Sequence, residues 1–101
     1  MAYIVGFTVS MHGEKLVMDS VEKASHILLM DLDTGSRVLE RNLGRKKIEL
    51  LGEFAVVHDI VAIIAENALS ETIEYMGENG VKVLVGFKGD LEDVINEIIG
   101  V

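Results

Sequence analysis

The chain has 101 residues, half of them apolar and 5% aromatic, with no tryptophan, proline or cysteine. Nine Lys and Arg face seventeen Asp and Glu, a formal net charge of −8, which argues against a nucleic-acid partner and against an anionic membrane, since both need a basic face. Without cysteine there is neither a disulfide nor a thiolate metal ligand, in keeping with a reducing interior.

The length suits one domain, 1–101, with a core built from Val, Ile, Leu and Met. The opening MAYIVGFTVS lacks a charged leader followed by a long apolar core, and no apolar run reaches membrane-spanning length. The expected location is the cytoplasm.

In chain order, Tyr3 to Val9 alternates, with Tyr3, Val5, Phe7 and Val9 on one side and Ile4, Gly6 and Thr8 on the other. This predicts a first strand. His12-Gly13 marks a turn, and Lys15 to Met18 predicts a short strand pairing back as a hairpin. The polar stretch Asp19 to Ser25 leads into HILLMDL, a central strand over His26 to Leu32. Asp33-Thr34-Gly35 is a turn, and Arg37 to Arg41 reads as an outer strand with charge at its ends. A basic run from Asn42 to Lys47 opens a helix through about Val57, with Ile48, Leu51 and Ala55 inward and His58 following its last turn.

The stretch from Asp59 to Gly86 then reads as strand, helix, strand. Ile60 to Ala65 and Val81 to Val85 are apolar runs expected to be covered on two faces. Between them Leu69, Ile73 and Met76 recur at helical spacing, and Asn79-Gly80 supplies the helix end. A parallel crossover follows. A last helix starts at Asp90, an N-cap, with Leu91, Val94, Ile95, Ile98 and Ile99 along one stripe. The total is about five strands and three helices, an α/β fold.

Motifs of known chemistry are weak. His12, His26 and His58 match no metal-ligand spacing and read as turn, strand and helix-end residues. Of the three, His12 stands nearest the strand ends where such folds bind ligands. Asp19, Asp31, Asp33 and Asp59 invite a two-metal nuclease reading, but Asp33 sits in a turn and Asp59 at a helix–strand junction, where Asp serves local hydrogen bonding. Glu14, Ser20 and His26 form no nucleophile–base arrangement. Gly86 to Asp90 offers amides and Lys88 to a small anion, in competition with Asp90 as a cap. The Arg41 to Lys47 run is either a solvated helix start or a docking surface for an acidic partner.

The order of elements, with KLVMDSVEKASHILLMDLDTG and VAIIAENALSETIEYMGENGVKVLVG, resembles the dinitrogenase iron-molybdenum cofactor biosynthesis family over nearly the whole chain. Asn42 stands where that family has an asparagine after the outer strand. The resemblance implies a ribonuclease-H-like three-layer α/β/α fold with a mixed five-stranded sheet. It implies a non-enzymatic accessory role, with no catalytic residues, in binding or carrying an iron-molybdenum or iron-sulfur type cluster. The implied partners are the cluster or a cluster-donating protein, and self-association is left open.

Ser20 occupies the position of the family's histidine, with Val21 and Glu22 after it, and Glu66-Asn67-Ala68-Leu69 stands in place of a glycine-rich turn. Lys23 and Ala24 keep the character of the first motif. The cofactor-binding residues expected on this basis are His12, Ser20, Lys23 and Asn67, with no residue assigned as a direct metal ligand. The other reading is an interaction or regulatory module of the same fold that has lost the cluster site.

Overall fold

The computed structural model describes residues 3–100. Met1 and Ala2, part of the stretch read for a leader, and Val101 lie outside the described residues. The elements are β1 (Ile4–His12), β2 (Lys15–Met18), β3 (His26–Asp31), β4 (Arg37–Arg41), a 3₁₀ turn (Leu43–Arg45), α1 (Ile48–Val57), β5 (Ile60–Ile64), α2 (Ser70–Glu78), β6 (Lys82–Leu84) and α3 (Leu91–Ile99).

The sheet has six strands rather than the five expected. Five run in the order β4-β3-β1-β5-β6, and β2 pairs with β1 alone. The sixth arises because β1 continues past Val9 to His12, and its extension pairs with β2 from Val9↔Met18 to His12↔Lys15. Val9 also pairs with His26, so β2 and β3 lie on opposite edges of β1, and β2 continues the line of β5. The pairs β1/β5 and β5/β6 are parallel, while β1/β2, β1/β3 and β3/β4 are antiparallel. Among the described residues no helix is long and apolar enough to cross a membrane.

Alternation along the strands divides the core in two. Val5, Phe7, Val9, Met18, Leu28, Met30 and Ile64 pack against Leu91, Val94 and Ile95 of α3. On the other face Ile27, Leu29, Ile60 and Ile63 pack against Leu51 and Ala55 of α1 and Met76 of α2. Helices therefore cover both faces, as a sheet with two apolar faces requires.

Four local expectations are corrected. The basic run does not begin the helix. Lys47 is extended (φ −149°, ψ 134°) and separates the 3₁₀ turn from α1. The turn folds back on the helix so closely that a Cβ on Gly44 would lie 2.8 Å from Leu51 Cβ. On α2 the inward residues are Thr72 and Met76, with Tyr75 half-buried, whereas Leu69 and Ile73 are exposed. On α3 the stripe ends early, because Ile99 is exposed near the helix terminus. Finally, β6 is an edge strand, and Leu84 and Val85 face solvent instead of a second layer. The Asp90 cap is as read, with its carboxylate accepting from the Glu92 N–H at 2.9 Å, and Gly80 follows α2 with φ +78°.

The core assignment makes a direct prediction. Phe7 is fully buried and Val57 is 76% exposed, so Phe7→Ala is expected to cost about 3–5 kcal/mol and Val57→Ala less than about 0.5 kcal/mol, measured by urea unfolding.

Candidate functional site

The loops after β2, β5 and β6 meet beyond the carboxyl ends of the parallel strands, where open α/β sheets place ligands. Asp19 is the hub. Its N–H donates to the Thr8 carbonyl at 3.0 Å, and its own carbonyl accepts from Thr8 Oγ1 at 2.9 Å and from the Glu66 N–H at 3.1 Å. Its carboxylate accepts from Ser10 Oγ at 2.8 Å and from the Ser20 N–H at 2.7 Å. Ser10 Oγ in turn accepts from the Ser25 N–H at 3.1 Å, and Ser25 Oγ lies 2.8 Å from His26 Nδ1.

From Ser20 the chain makes one helical turn, closed by the Lys23 and Ala24 N–H groups on the Ser20 carbonyl. Two other segments, the β5–α2 connection and Asn42, pin this turn. The Val21 N–H donates to the Asn67 carbonyl at 3.0 Å. Glu22 Oε2 accepts from the Leu69 N–H at 3.1 Å, at the start of α2. Asn42, 5% exposed, donates from Nδ2 to the carbonyls of Val21 and Ala24 at 2.8 and 2.9 Å, and its Oδ1 accepts from the Gly44 N–H. The β6–α3 loop closes the cluster, with Gly86 N–H on the Glu66 carbonyl and Met18 N–H on the Gly89 carbonyl.

The structure brings Ser20, Lys23 and Asn67 into this one cluster of loops. Ser20 Oγ is buried and has no hydrogen-bond partner among the described residues. Lys23 is exposed, and no ion pair among the described residues engages it. Asn67 is exposed and spends its Oδ1 on the Ala68 N–H at 2.9 Å, so the remaining end of its side chain is an amide donor. His12 lies elsewhere. It is the last residue of β1, opposite Lys15, four strand residues or about 13 Å beyond Thr8. The turn itself is Gly13-Glu14, with Gly13 at φ +65°.

The Asp residues do not converge. Asp31 pairs with Ile4 and Asp59 precedes β5, at the opposite end of the sheet from Asp19. Asp31 Oδ1 accepts from the Asp33 and Thr34 N–H groups. His58 packs at a tilt of 41° against Phe54, with ring centroids 4.3 Å apart, at that same far end. Among the described residues no three His, Cys, Asp or Glu come together around a cation position. In the Gly86 to Asp90 loop the cap amide is taken by Asp90 itself.

A cleft of about 570 Å³ also lies at the far end, lined chiefly by Ile4, Ala55, Val56, Ile60 and Val81 with His58 and Asp59. Its lining is mostly apolar and holds no unpaired buried polar atom among the described residues. The loop cluster, with an orphaned hydroxyl and uncommitted donors, is therefore the better candidate. Sequence reasoning missed the Thr8, Ser10, Asp19 and Ser25 network, because isolated hydroxyls on alternating strand positions carry no motif. Asn42 left a signal, as a lone amide after an outer strand.

No family model matches the chain, and no curated protein matches it in sequence. Solved structures match it in fold. Four of them superpose on 96–99% of the chain with TM-scores of 0.71–0.81 at 13–20% identity. One is a candidate NifB protein of the DUF35 family from Thermotoga, 20% identical, covering 97% of this chain and 87% of that one at TM-score 0.74. A second is a candidate dinitrogenase from Methanocaldococcus jannaschii, 18% identical, covering 99% and 90% at TM-score 0.71. A third is the apo form of the orange protein from Desulfovibrio gigas, 13% identical, covering 99% and 90% at TM-score 0.74. At these identities the likeness is one of fold.

Two stability predictions follow from the geometry. Asn42→Ala leaves the Val21 and Ala24 carbonyls unpaired, an expected cost of about 2–3 kcal/mol, with faster amide exchange at Gly44 read by hydrogen exchange. Ser20→Ala removes the orphaned buried hydroxyl and is expected to stabilise by about 1 kcal/mol, read as a higher urea midpoint at unchanged slope.

Proposed function

We propose that this chain is a cytoplasmic, non-enzymatic accessory protein of the nitrogenase-associated cofactor-biosynthesis family, acting as one domain on a ribonuclease-H-like scaffold. Its cargo is an iron-molybdenum or iron-sulfur type cluster, received from a cluster-donating protein. The observation that carries this reading is the fold match over nearly the whole chain to proteins named as a candidate NifB and a candidate dinitrogenase. The orange protein's structure is an apo form, and the strand order β4-β3-β1-β5-β6 supports the scaffold assignment.

The donors at the loop cluster define how such cargo would be held. There is no thiolate in the chain, and the donors at the cluster are a hydroxyl, an ammonium and a carboxamide, set beside the carboxylates of Asp19 and Glu22, which are engaged internally, and of Glu66. These donors suit an anionic guest that carries its own sulfide ligands and is held by hydrogen bonds and charge. They do not suit direct ligation of iron. Ser20 Oγ is buried without an internal partner and becomes a donor to the guest only as the turn opens, while Lys23 and Asn67, both exposed, supply charge and an amide at the surface. His12 belongs to the same proposal only as an outlying contact on the hairpin.

A specific observation favours the second reading, an interaction module that has lost the cluster site. The start of α2 is occupied from within, by Glu22 on the Leu69 N–H and Asn67 Oδ1 on the Ala68 N–H, and Glu66 sets a further carboxylate beside the loop.

The two readings part in one experiment. The purified chain is incubated anaerobically with a synthetic thiolate-capped iron–sulfur cluster and separated by gel filtration, and its iron is measured. The cargo reading expects iron to comigrate with the protein, with affinity reduced roughly tenfold by Lys23→Ala and by Asn67→Ala. Ser20→Ala is expected to weaken retention while raising stability. Iron absent from the protein fraction would remove the cargo reading and leave the interaction module.

A further inference from the structure

At the outer end of β4 the chain carries a second surface, which adjoins the loop cluster through Ser25 and Asn42. Ser25, Arg41, Asn42, Leu43, Arg45 and Lys46 line a cleft of about 410 Å³. Its lining has three cations and no carboxylate, on a chain whose net charge is −8. Among the described residues the ion pairs are Lys15 with Asp90 and Arg37 with Glu92, so none of these three cations is in an ion pair. The neighbouring groove between α1 and α2 differs, because Arg45 and Lys46, which border both, share its lining with Lys47 and with the carboxylates of Glu22, Glu49 and Glu71.

The cleft continues an open sheet edge. β4 is the terminal strand on its side, and Val38 and Leu39 are 53% and 44% exposed. The β3–β4 ladder is bracketed by the Asp31 N–H on the Ser36 carbonyl and the Asn42 N–H on the Ser25 carbonyl. Antiparallel alternation then turns Val38 and Glu40 toward β3, and leaves the N–H and C=O of Arg37, Leu39 and Arg41 pointing outward. An added strand would meet three outward-facing residues and end among Arg41, Arg45 and Lys46.

We propose that the β4 edge and its basic cleft dock an extended acidic segment of a partner protein, added as a further strand with its carboxylates among Arg41, Arg45 and Lys46. Strand addition draws affinity from main-chain hydrogen bonds and specificity from the side chains beside them. Charge selects the occupant. A second copy of this chain paired antiparallel along β4 in the full-length register places Arg37 opposite Arg41 twice, and like charges directly opposite destabilise a pair. Nucleic acid is repelled by the chain as a whole, and the cleft has no converging set of buried free donors for a small anion, since the amide of the one buried polar residue in it, Asn42, is committed internally.

The test uses a fluorescein-labelled peptide of about eight residues alternating valine and glutamate, titrated into the ¹⁵N-labelled chain at low ionic strength. Saturable binding that weakens with salt is expected, with amide shifts at Arg37, Leu39, Arg41 and Leu43 to Lys46. Arg41→Glu combined with Arg45→Glu is expected to weaken binding roughly tenfold or more. Leu39→Pro, which removes an outward N–H and spares the ladder to β3, is expected to weaken it comparably, and the amide spectra of both variants show whether the core is intact. The wild-type shift map needs no variant. The proposal is overturned if the shifts lie elsewhere, if both variants bind as the wild type does, or if lysine in place of glutamate leaves affinity unchanged. It is equally overturned if inorganic phosphate displaces the peptide while Leu39→Pro has no effect, which would mean a simple anion site. Wild-type dimers abolished by Leu39→Pro would overturn it in favour of a second copy.

Discussion

The loop cluster depends on one buried carboxamide. Asn42 leaves the outer strand with its side chain turned inward and reaches two carbonyls of the turn after Ser20 while accepting from Gly44. A buried polar group of this kind is stabilising only when all its partners are in place. It therefore fixes the turn to the junction between β4 and α1, although the two are about twenty residues apart. The Asp19 main chain makes the corresponding tie to β1 and to the loop after β5. Between them, two residues outside any helix or strand convert several connecting segments into one rigid end of the sheet.

That rigidity bears on function. A receptor without thiolate or imidazole ligands has to rely on hydrogen bonds and charge, and these are effective only when the donors are held in place before the guest arrives. The turn carrying Lys23 is held in this way by the β5–α2 connection and by Asn42. The unpartnered Ser20 hydroxyl is the cost of the arrangement, a local departure from full satisfaction of the kind found at sites of function. The opposite end of the sheet has a cleft of about 570 Å³, but its polar side chains include His58, packed at a tilt against Phe54.

Much of the layering was legible in the sequence, for definite reasons. The β1 alternation assigned Val5, Phe7 and Val9 to one face and Ile4 to the other, because a period of two has no competing interpretation over a short run. Asp90, Asn79 and Gly80 marked helix ends through their side-chain and backbone chemistry. The failures came where tertiary packing overrode local pattern. Gly44 against Leu51 detaches the basic turn from α1, and β6 lies on an edge that its β-branched run could not reveal. On α2 a threonine takes the core position expected for an isoleucine. Of the site, Ser20, Lys23 and Asn67 were reachable through the family resemblance alone, whereas the Asp19 network depends on pairings across the sheet that sequence spacing does not show.

On the proposed reading an anionic, self-liganded cluster is held by the turn at Ser20 to Ala24 and the facing loop at Glu66 to Ala68. The most direct measurement is the pattern of paramagnetic broadening of backbone amide resonances when a synthetic iron–sulfur cluster is added anaerobically. Broadening concentrated on those two segments, with the His58 end of the sheet unaffected, is the result predicted. Uniform broadening, or broadening centred on the far end near His58 and Asp59, would contradict the account.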